Sequence, residues 1–65
     1  MNFAENLRRI RKMKHMTMEQ LGDKAGITLS AIQKYEKGLS EPNLSRLIWL
    51  AESLDITVAV LIGEV

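Results

Sequence analysis

Several residue types are scarce in this 65-residue sequence, and each scarcity excludes a class of protein. There is no cysteine, so neither a disulfide framework nor a thiolate metal site is expected. Proline and glycine total five residues, which argues against a disordered chain. The apolar run 56–63 is far too short to span a bilayer, and no secretory core follows Met1. These absences predict a small cytoplasmic domain without a membrane partner.

Residues suited to catalysis or metal binding are also few. One histidine and no visible acid–base cluster predict that the chain is not an enzyme and uses no cofactor. The run 13–18 contains methionines and the histidine, which are soft ligands that would suit copper. Met16 is better suited to the core, and Lys12 and Lys14 would repel a cation. No metal site is therefore expected.

Charge is unevenly distributed, although the net charge is only +1. Residues 1–38 carry eight Lys or Arg and four acidic residues, a net charge of +4. Residues 39–65 carry one Arg and four acidic residues, a net charge of −3. A basic half beside an acidic half is typical of a molecule with one face for phosphate, although small domains also show such asymmetry by chance.

Hydrophobic periodicity and capping residues predict five helices, near residues 3–13, 18–25, 29–37, 44–54 and 57–62. The expected N-caps are Asn2, Thr17, Thr28, Asn43 and Thr57. Asn2 with Glu5, and Thr17 with Gln20, have the spacing of a capping box. The β-branched run 56–60 also permits a strand, so both structures remain open there. The apolar set expected to bury the fourth helix is Leu44, Leu47, Ile48, Leu50, Ala51 and Leu54.

The middle of the chain has the pattern of two short helices joined by a tight turn. Gly22 has no side chain and lets a second helix cross closely, and Gly26 tolerates the positive φ of a helix end. Ile32 and Tyr35 turn one face of the second helix inward. These features predict a helix-turn-helix at about 17–37, whose second helix lays its free side in the DNA major groove.

These motifs resemble the lambda-repressor-like DNA-binding domain of the Cro and phage-repressor family, also called the xenobiotic-response-element family. The match covers about residues 6–62, in LRRIRKMKHMTMEQLGDKAGITLSAIQKYEKG and EPNLSRLIWLAESLDITVAVLI. The resemblance implies an all-α, compact five-helix domain over residues 1–65, with helices two and three as the reading head. It also implies a bacterial or phage transcriptional regulator, a repressor, that binds specific double-stranded DNA sequences.

Individual residues carry over from this resemblance. Arg11 matches an arginine that pairs with the glutamate closing helix three, here Glu36. The rigid fork of Arg suits a partly buried carboxylate, and the alternative is a solvated surface pair of little energetic weight. The implied base-reading positions are Leu29, Ser30 and Lys34, with Gln33 beside them. The positions implied at or near the DNA backbone are Thr17, Met18, Thr28, Lys37 and Asn43.

Three departures from the family pattern affect binding rather than the fold. Met18 replaces a glutamine that grips a phosphate, and a thioether cannot donate a hydrogen bond. Leu29 cannot make a bidentate base contact but can contact a thymine methyl group. Glu41 places a negative charge in a loop that often approaches phosphate. These changes predict lower affinity or shifted specificity.

Apolar residues in the C-terminal part predict a homodimer. Trp49 stands where the family usually has a polar residue, and Ala59 and Val60 replace usual acids. Trp49 could lie flat over the core edge, but aromatic residues are enriched at interface centres, which favours an interface. The predicted interface comprises Trp49, Val58, Ala59, Val60 and Ile62, with Val65 alongside.

The same apolar residues leave an alternative function open. A protein-interaction or antitoxin-like module could keep this fold, have weak affinity for DNA and use Trp49 to hold a partner. In either case no small-molecule ligand is expected, because so short a chain leaves no room for a sizeable sensing domain.

Overall fold

The helices follow the order that the sequence predicts. The computed structural model describes residues 3–64, and its helices are α1 (Phe3–Met13), α2 (Met18–Ala25), α3 (Leu29–Glu36), α4 (Leu44–Ser53) and α5 (Val58–Leu61). The predicted bounds of α1 and α2 are confirmed. Each of the other three helices ends one residue earlier than predicted, because Lys37, Leu54 and Ile62 are C-caps. Helix α5 also begins one residue later than predicted, because Thr57 is its N-cap. Residues 58–61 are helical, so the strand that the β-branched run permitted is not formed. No helix within residues 3–64 has the length and apolar character needed to cross a membrane.

Each helix from α2 to α5 begins at a polar N-cap. The side-chain oxygens of Thr17, Thr28, Asn43 and Thr57 each accept a hydrogen bond from the backbone N–H three residues later. At α2 the Gln20 side chain also accepts from the Thr17 N–H at 2.9 Å, which completes the capping box. Such caps stabilise a helix by about 0.5–2 kcal/mol each. The predicted cap at Asn2 lies outside the described residues.

Two turns use residues other than glycine in the left-handed region. His15, after α1, has φ of 58°, and Asp55, after α4, has φ of 56°. His and Asp adopt this conformation more readily than most L-residues. Both chain reversals are therefore tight without a glycine, which is why no glycine marks them in the sequence.

The core is built from aliphatic side chains of all five helices. Those with almost no exposed surface are Leu7, Leu21, Ile32, Leu50, Leu54 and Leu61. Within this arrangement α1 packs on α3 and α5, α2 packs on α3 and α4, and α4 packs on α5. Burying each such side chain contributes about 1.5–3 kcal/mol. Met16 is partly buried against the core, as its position before α2 predicts.

The predicted apolar set of α4 is wrong at two positions. Leu44 is 68% exposed and Ile48 is 39% exposed. The buried stripe runs through Leu47, Leu50 and Ala51, with i, i+3, i+4 spacing. Ile48 projects about 100° away from Leu47 around the helix, and Leu44 lies at the first turn, beyond the edge of the core. Both side chains therefore remain at the surface.

Candidate nucleic-acid interface

A tight turn sets α3 against α2. Gly26 ends α2 with φ of 73°, and the Ile27 N–H donates to the Gly22 carbonyl at 2.9 Å. A Cβ atom at Gly22 would lie 2.6 Å from the Ile27 carbonyl oxygen, a distance that atoms do not tolerate. The close approach predicted at Gly22 is thus present, and the nearest atoms belong to the turn, with Ile32 of α3 next. The absence of a side chain at Gly22 is what lets the turn be so short.

The outward face of α3 is largely as predicted. Ile32 and Tyr35 are buried, whereas Leu29, Ser30 and Lys34 are exposed, as is Lys37 at the C-cap. Gln33 differs, because it is only partly exposed and lines a groove between α3 and α1. A helix with two inward residues and a polar outer face has the shape and chemistry that fit the major groove.

The residues predicted near the DNA backbone include exposed polar residues and one partly buried apolar residue. Thr17, Thr28 and Asn43 are exposed and their side-chain oxygens serve as helix caps, so their remaining hydroxyl or amide donors face solvent. Met18 is partly buried against the core. Met18 therefore acts as a packing residue at the start of α2, which agrees with its inability to donate a hydrogen bond.

An ion pair fastens α1 to the end of α3. Arg11 Nε donates to Glu36 Oε2 at 2.6 Å, and Arg11 Nη2 donates to Glu36 Oε1 at 3.0 Å. Arg11 Nη1 also donates to the Met16 carbonyl at 2.8 Å. The two side chains are only 9% and 6% exposed. The pair that the resemblance implies is thus a buried bidentate contact, and the solvated alternative does not apply.

The ion pair with Glu36 stabilises the charged form of Arg11. The hydrogen bond and charge of Glu36 raise the pKa of Arg11 above its ordinary value, against the opposing effect of burial. A raised folded-state pKa gives stabilisation that is fully present below the unfolded pKa and is lost only as pH rises through the folded pKa. For an arginine that range is strongly alkaline, so Arg11 keeps its positive charge at any ordinary pH.

A basic groove lies between α1 and α3. It has a volume of about 330 Å³ and is lined by Arg8, Arg11, Lys12, Met18, Gln33, Glu36 and Lys37. Among residues 3–64 no group of His, Cys, Asp and Glu is arranged to hold a metal ion. The groove is a basic concave surface next to the outer face of α3.

Two of the residues predicted to form a dimer interface, Trp49 and Ile62, line different depressions. Trp49 is 46% exposed and lines a depression with Lys24 and Glu52. Ile62 lines a different depression with Phe3 and Leu47. Leu47 and Trp49 are two residues apart on α4 and project from nearly opposite sides of it. The partly exposed residues of α5 are Val58, Ala59 and Val60. Val65 lies outside the described residues.

Two polar contacts that position the elements are not evident from the sequence. Asn6 is buried, and its Nδ2 donates to the carbonyls of Val60, at 2.9 Å, and Leu61, while Arg9 donates to its Oδ1. Arg46 Nη1 donates to the Tyr35 hydroxyl at 2.7 Å and so links α4 to α3. The position of Asn6 between Phe3 and Ile10 on the apolar stripe of α1 could have indicated the first contact.

Comparison with known proteins places this geometry in a family. A family model described as Helix-turn-helix matches residues 7–61. The chain is 41% identical over 63 residues to the uncharacterized HTH-type transcriptional regulator YqaE of Bacillus subtilis, covering 95% of this chain and 54% of that one. It is 35% identical over 64 residues to the cryptic phage CTXphi transcriptional repressor RstR of Vibrio cholerae, covering 98% of this chain and 57% of that one.

The fold is also similar to that of a solved repressor structure. The P22 c2 repressor protein, in a crystal structure with a synthetic operator, superposes with a TM-score of 0.89 at 27% identity, covering 97% of this chain and 96% of that one. The chain spans just over half the length of the two curated relatives. The five helices, the turn at Gly26 and the match over residues 7–61 show that the chain belongs to the helix-turn-helix family of Cro and phage-repressor type.

Proposed function

We propose that this chain binds specific sequences of double-stranded DNA in the cytoplasm and represses transcription, with α3 in the major groove. The observation that carries this proposal is the outer face of α3, which is exposed, polar and basic and is held at a fixed angle by Gly22, the turn and the buried Arg11–Glu36 pair. A rigid, solvent-facing helix is what direct readout of base edges requires. The DNA-bound P22 c2 repressor and the repressor RstR support the proposal by their similarity.

In this proposal the residues of α3 read the bases, and residues at the ends of α2, α3 and α4 contact the DNA backbone. Ser30, Gln33 and Lys34 contact base edges, and Leu29 contacts a thymine methyl group. The backbone contacts come from Thr17, Met18, Thr28, Lys37 and Asn43. Lys37 and the free donors of Thr17, Thr28 and Asn43 supply charge and hydrogen bonds, whereas Met18 supplies only van der Waals contact.

Selection of bound sites from random DNA tests the function. The expected result is a short conserved motif whose affinity falls steeply with log salt concentration, because binding releases counterions from phosphates. Lys37→Ala should weaken binding to all sequences alike and reduce the magnitude of the salt slope by about one. Recovery of no common sequence, or an affinity independent of salt, would contradict the proposal.

We also propose that the chain binds DNA as a homodimer. One α3 covers only a few base pairs, and paired reading helices enter successive major grooves about 34–36 Å apart. The site selected from random DNA should therefore be a palindrome. Because Trp49 and Ile62 lie on different sides of α4, a two-fold contact is centred on α5 with Ile62 or on Trp49, not on both.

Exposed apolar residues on α4 favour a second candidate function. Leu44, Ile48 and Trp49 are all exposed, and such side chains gain most by burial against another protein. A protein-interaction or antitoxin-like module would use this helix and bind DNA only weakly. A chain whose binding to random DNA is undetectable at low salt, yet which captures a defined protein partner that Trp49→Glu releases, would favour this second function.

A further inference from the structure

The charges of the basic groove are not balanced within the described part of the chain. Four cations line it, and Glu36 is the only carboxylate among its lining residues. The Glu36 carboxylate is fully engaged by the buried guanidinium of Arg11, with both oxygens accepting hydrogen bonds. The exposed side chains of Arg8, Lys12 and Lys37 form no ion pair with any of residues 3–64. The groove therefore carries an excess of about three positive charges.

The three cations Arg8, Lys12 and Lys37 line the same groove from two helices. Arg8 and Lys12 are four residues apart on α1 and so share one face of that helix. Lys37 faces them from the end of α3, and Met18 closes the groove at the start of α2. Cations of like sign around a concave surface raise the local concentration of anions, since the protein walls focus their field. The shape and charge of the groove thus fit an anion rather than an apolar ligand.

The position of the groove relative to α3 identifies the anion. The groove borders α3 along Gln33 and Lys37, next to the outer face. An α-helix has a diameter of about 10–12 Å and the major groove is about 12 Å wide, so a helix lying in it has a sugar-phosphate backbone close on each side. A duplex that receives α3 must therefore bring one of its backbones towards the groove.

We propose that Arg8 and Lys12, together with Lys37, hold a DNA backbone phosphate in this groove, beside the base pairs that α3 reads. The inference rests on the proposed function and adds α1 to the DNA-binding surface. Arg8 offers a planar fork that can donate two hydrogen bonds to one phosphate, and Lys12 adds a mobile ammonium. The groove has room for a phosphodiester and several waters, since about 330 Å³ equals roughly eleven times the volume of one liquid water.

The salt dependence of binding tests this site. Affinity for the selected DNA site is measured by fluorescence anisotropy over a series of salt concentrations, for wild type, Arg8→Gln, Lys12→Gln and the double variant. One neutralised phosphate contributes about 0.9 to the magnitude of the slope of log K against log salt. The double variant should therefore reduce that magnitude by up to about 0.9, and each single variant by less. The preference among base sequences should not change, because a phosphate carries no sequence information. Glutamine is a good helix former, so α1 is retained.

Lys24→Gln is the matched control, because Lys24 is an exposed lysine that lies in the depression around Trp49, away from the groove. It should keep the wild-type slope. A second measurement replaces single phosphates flanking the site with neutral methylphosphonates. At one position this replacement should weaken binding by wild type much more than binding by the double variant, in which only Lys37 remains to contact that phosphate.

Two different failures are distinguishable. If wild type binds its site with a steep salt slope and the double variant keeps that slope, the groove does not hold a phosphate, although the proposed function stands. If wild type shows no salt-dependent binding to any DNA, the proposed function fails and the phosphate site fails with it.

Discussion

Helices α3 and α4 both leave side chains uncovered, but the chemistry of the two surfaces differs. The outer face of α3 carries Ser30 and Lys34, followed by Lys37, whereas the exposed residues of α4 include Leu44 and Trp49. Polar side chains exchange water for base edges and phosphates at little net cost, while apolar side chains gain chiefly by leaving water. One surface is thus suited to a charged, salt-sensitive partner and the other to a protein surface.

The anchoring of the two helices differs as well. α4 is held by a stripe of aliphatic side chains, including fully buried Leu50. α3 buries Ile32 and Tyr35 and depends in addition on polar contacts, from Arg11 to Glu36 and from Arg46 to Tyr35. A helix fixed by directional contacts keeps its angle, which matters for an element that must match base edges.

The largest expected effect comes from breaking the polar anchor of α3. Glu36→Ala leaves the Arg11 guanidinium buried without a counter-charge, and should lower the free energy of unfolding by about 3 kcal/mol. Urea denaturation measures this loss. Glu52→Ala, which removes an exposed carboxylate from α4, is the control and should change stability by less than about 0.5 kcal/mol. Equal midpoints for the two variants would show that the pair contributes nothing to stability.

A smaller loss is expected when α3 and its turn are displaced from α2. Gly22→Ala places a methyl group against the Ile27 carbonyl and should destabilise the chain by about 1–3 kcal/mol, typical of overpacking. The intrinsic helix preference for alanine acts in the opposite direction by about 1 kcal/mol. Thermal denaturation measures the net effect of the packing cost and the helix preference on stability. A more stable variant would mean that the turn can move aside without strain.

Next in size is the effect of Lys34 on the choice of sequence. Lys34→Ala should reduce discrimination at one or two base pairs by about 1–2 kcal/mol, because a base-edge contact is lost. Competition between the selected site and single-base variants of it measures this change. Serine at position 45 offers a control on α4, since Ser45→Ala should leave every preference intact. A uniform loss of affinity for all sites would remove Lys34 from the base-reading set.

The smallest expected effect concerns self-association through α4 or α5. Because Trp49 and Ile62 lie on different sides of α4, Trp49→Glu and Ile62→Glu should not both raise the dissociation constant of the dimer. Sedimentation equilibrium of both variants identifies which surface forms the contact. If both variants and wild type sediment as monomers at high micromolar concentration, the homodimer proposal fails.

Local features explain why the helices were predictable from the sequence. The four N-caps from Thr17 to Thr57 and the left-handed Gly26 act within a few residues of chain, so their sequence pattern suffices. The Arg11–Glu36 pair joins distant residues and was implied only by the family resemblance. Contacts that depend on how helices cross, such as Arg46 with Tyr35, leave no pattern in the sequence.

The surface predictions were less complete for a related reason. Periodicity identifies an apolar stripe but not where the core stops, so it predicts Leu44 to be buried although this residue lies beyond the edge of the core. The base-reading position implied for Gln33 requires it to face out with its neighbours, but α1 approaches close enough to enclose it partly. The separation of Trp49 from Ile62 likewise follows from the packing of α4 between other helices.

The buried amide of Asn6 has a consequence for motion. Its hydrogen bonds to the carbonyls of Val60 and Leu61 span 54 and 55 positions and close most of the chain into one loop. A four-residue helix such as α5 would ordinarily fray at its end. Here, opening α5 would leave the amide of Asn6 without acceptors beside an exposed core. The hydrogen-bonded amide of Leu61, which donates to the Thr57 carbonyl, should therefore exchange with solvent as slowly as the amides of the core helices.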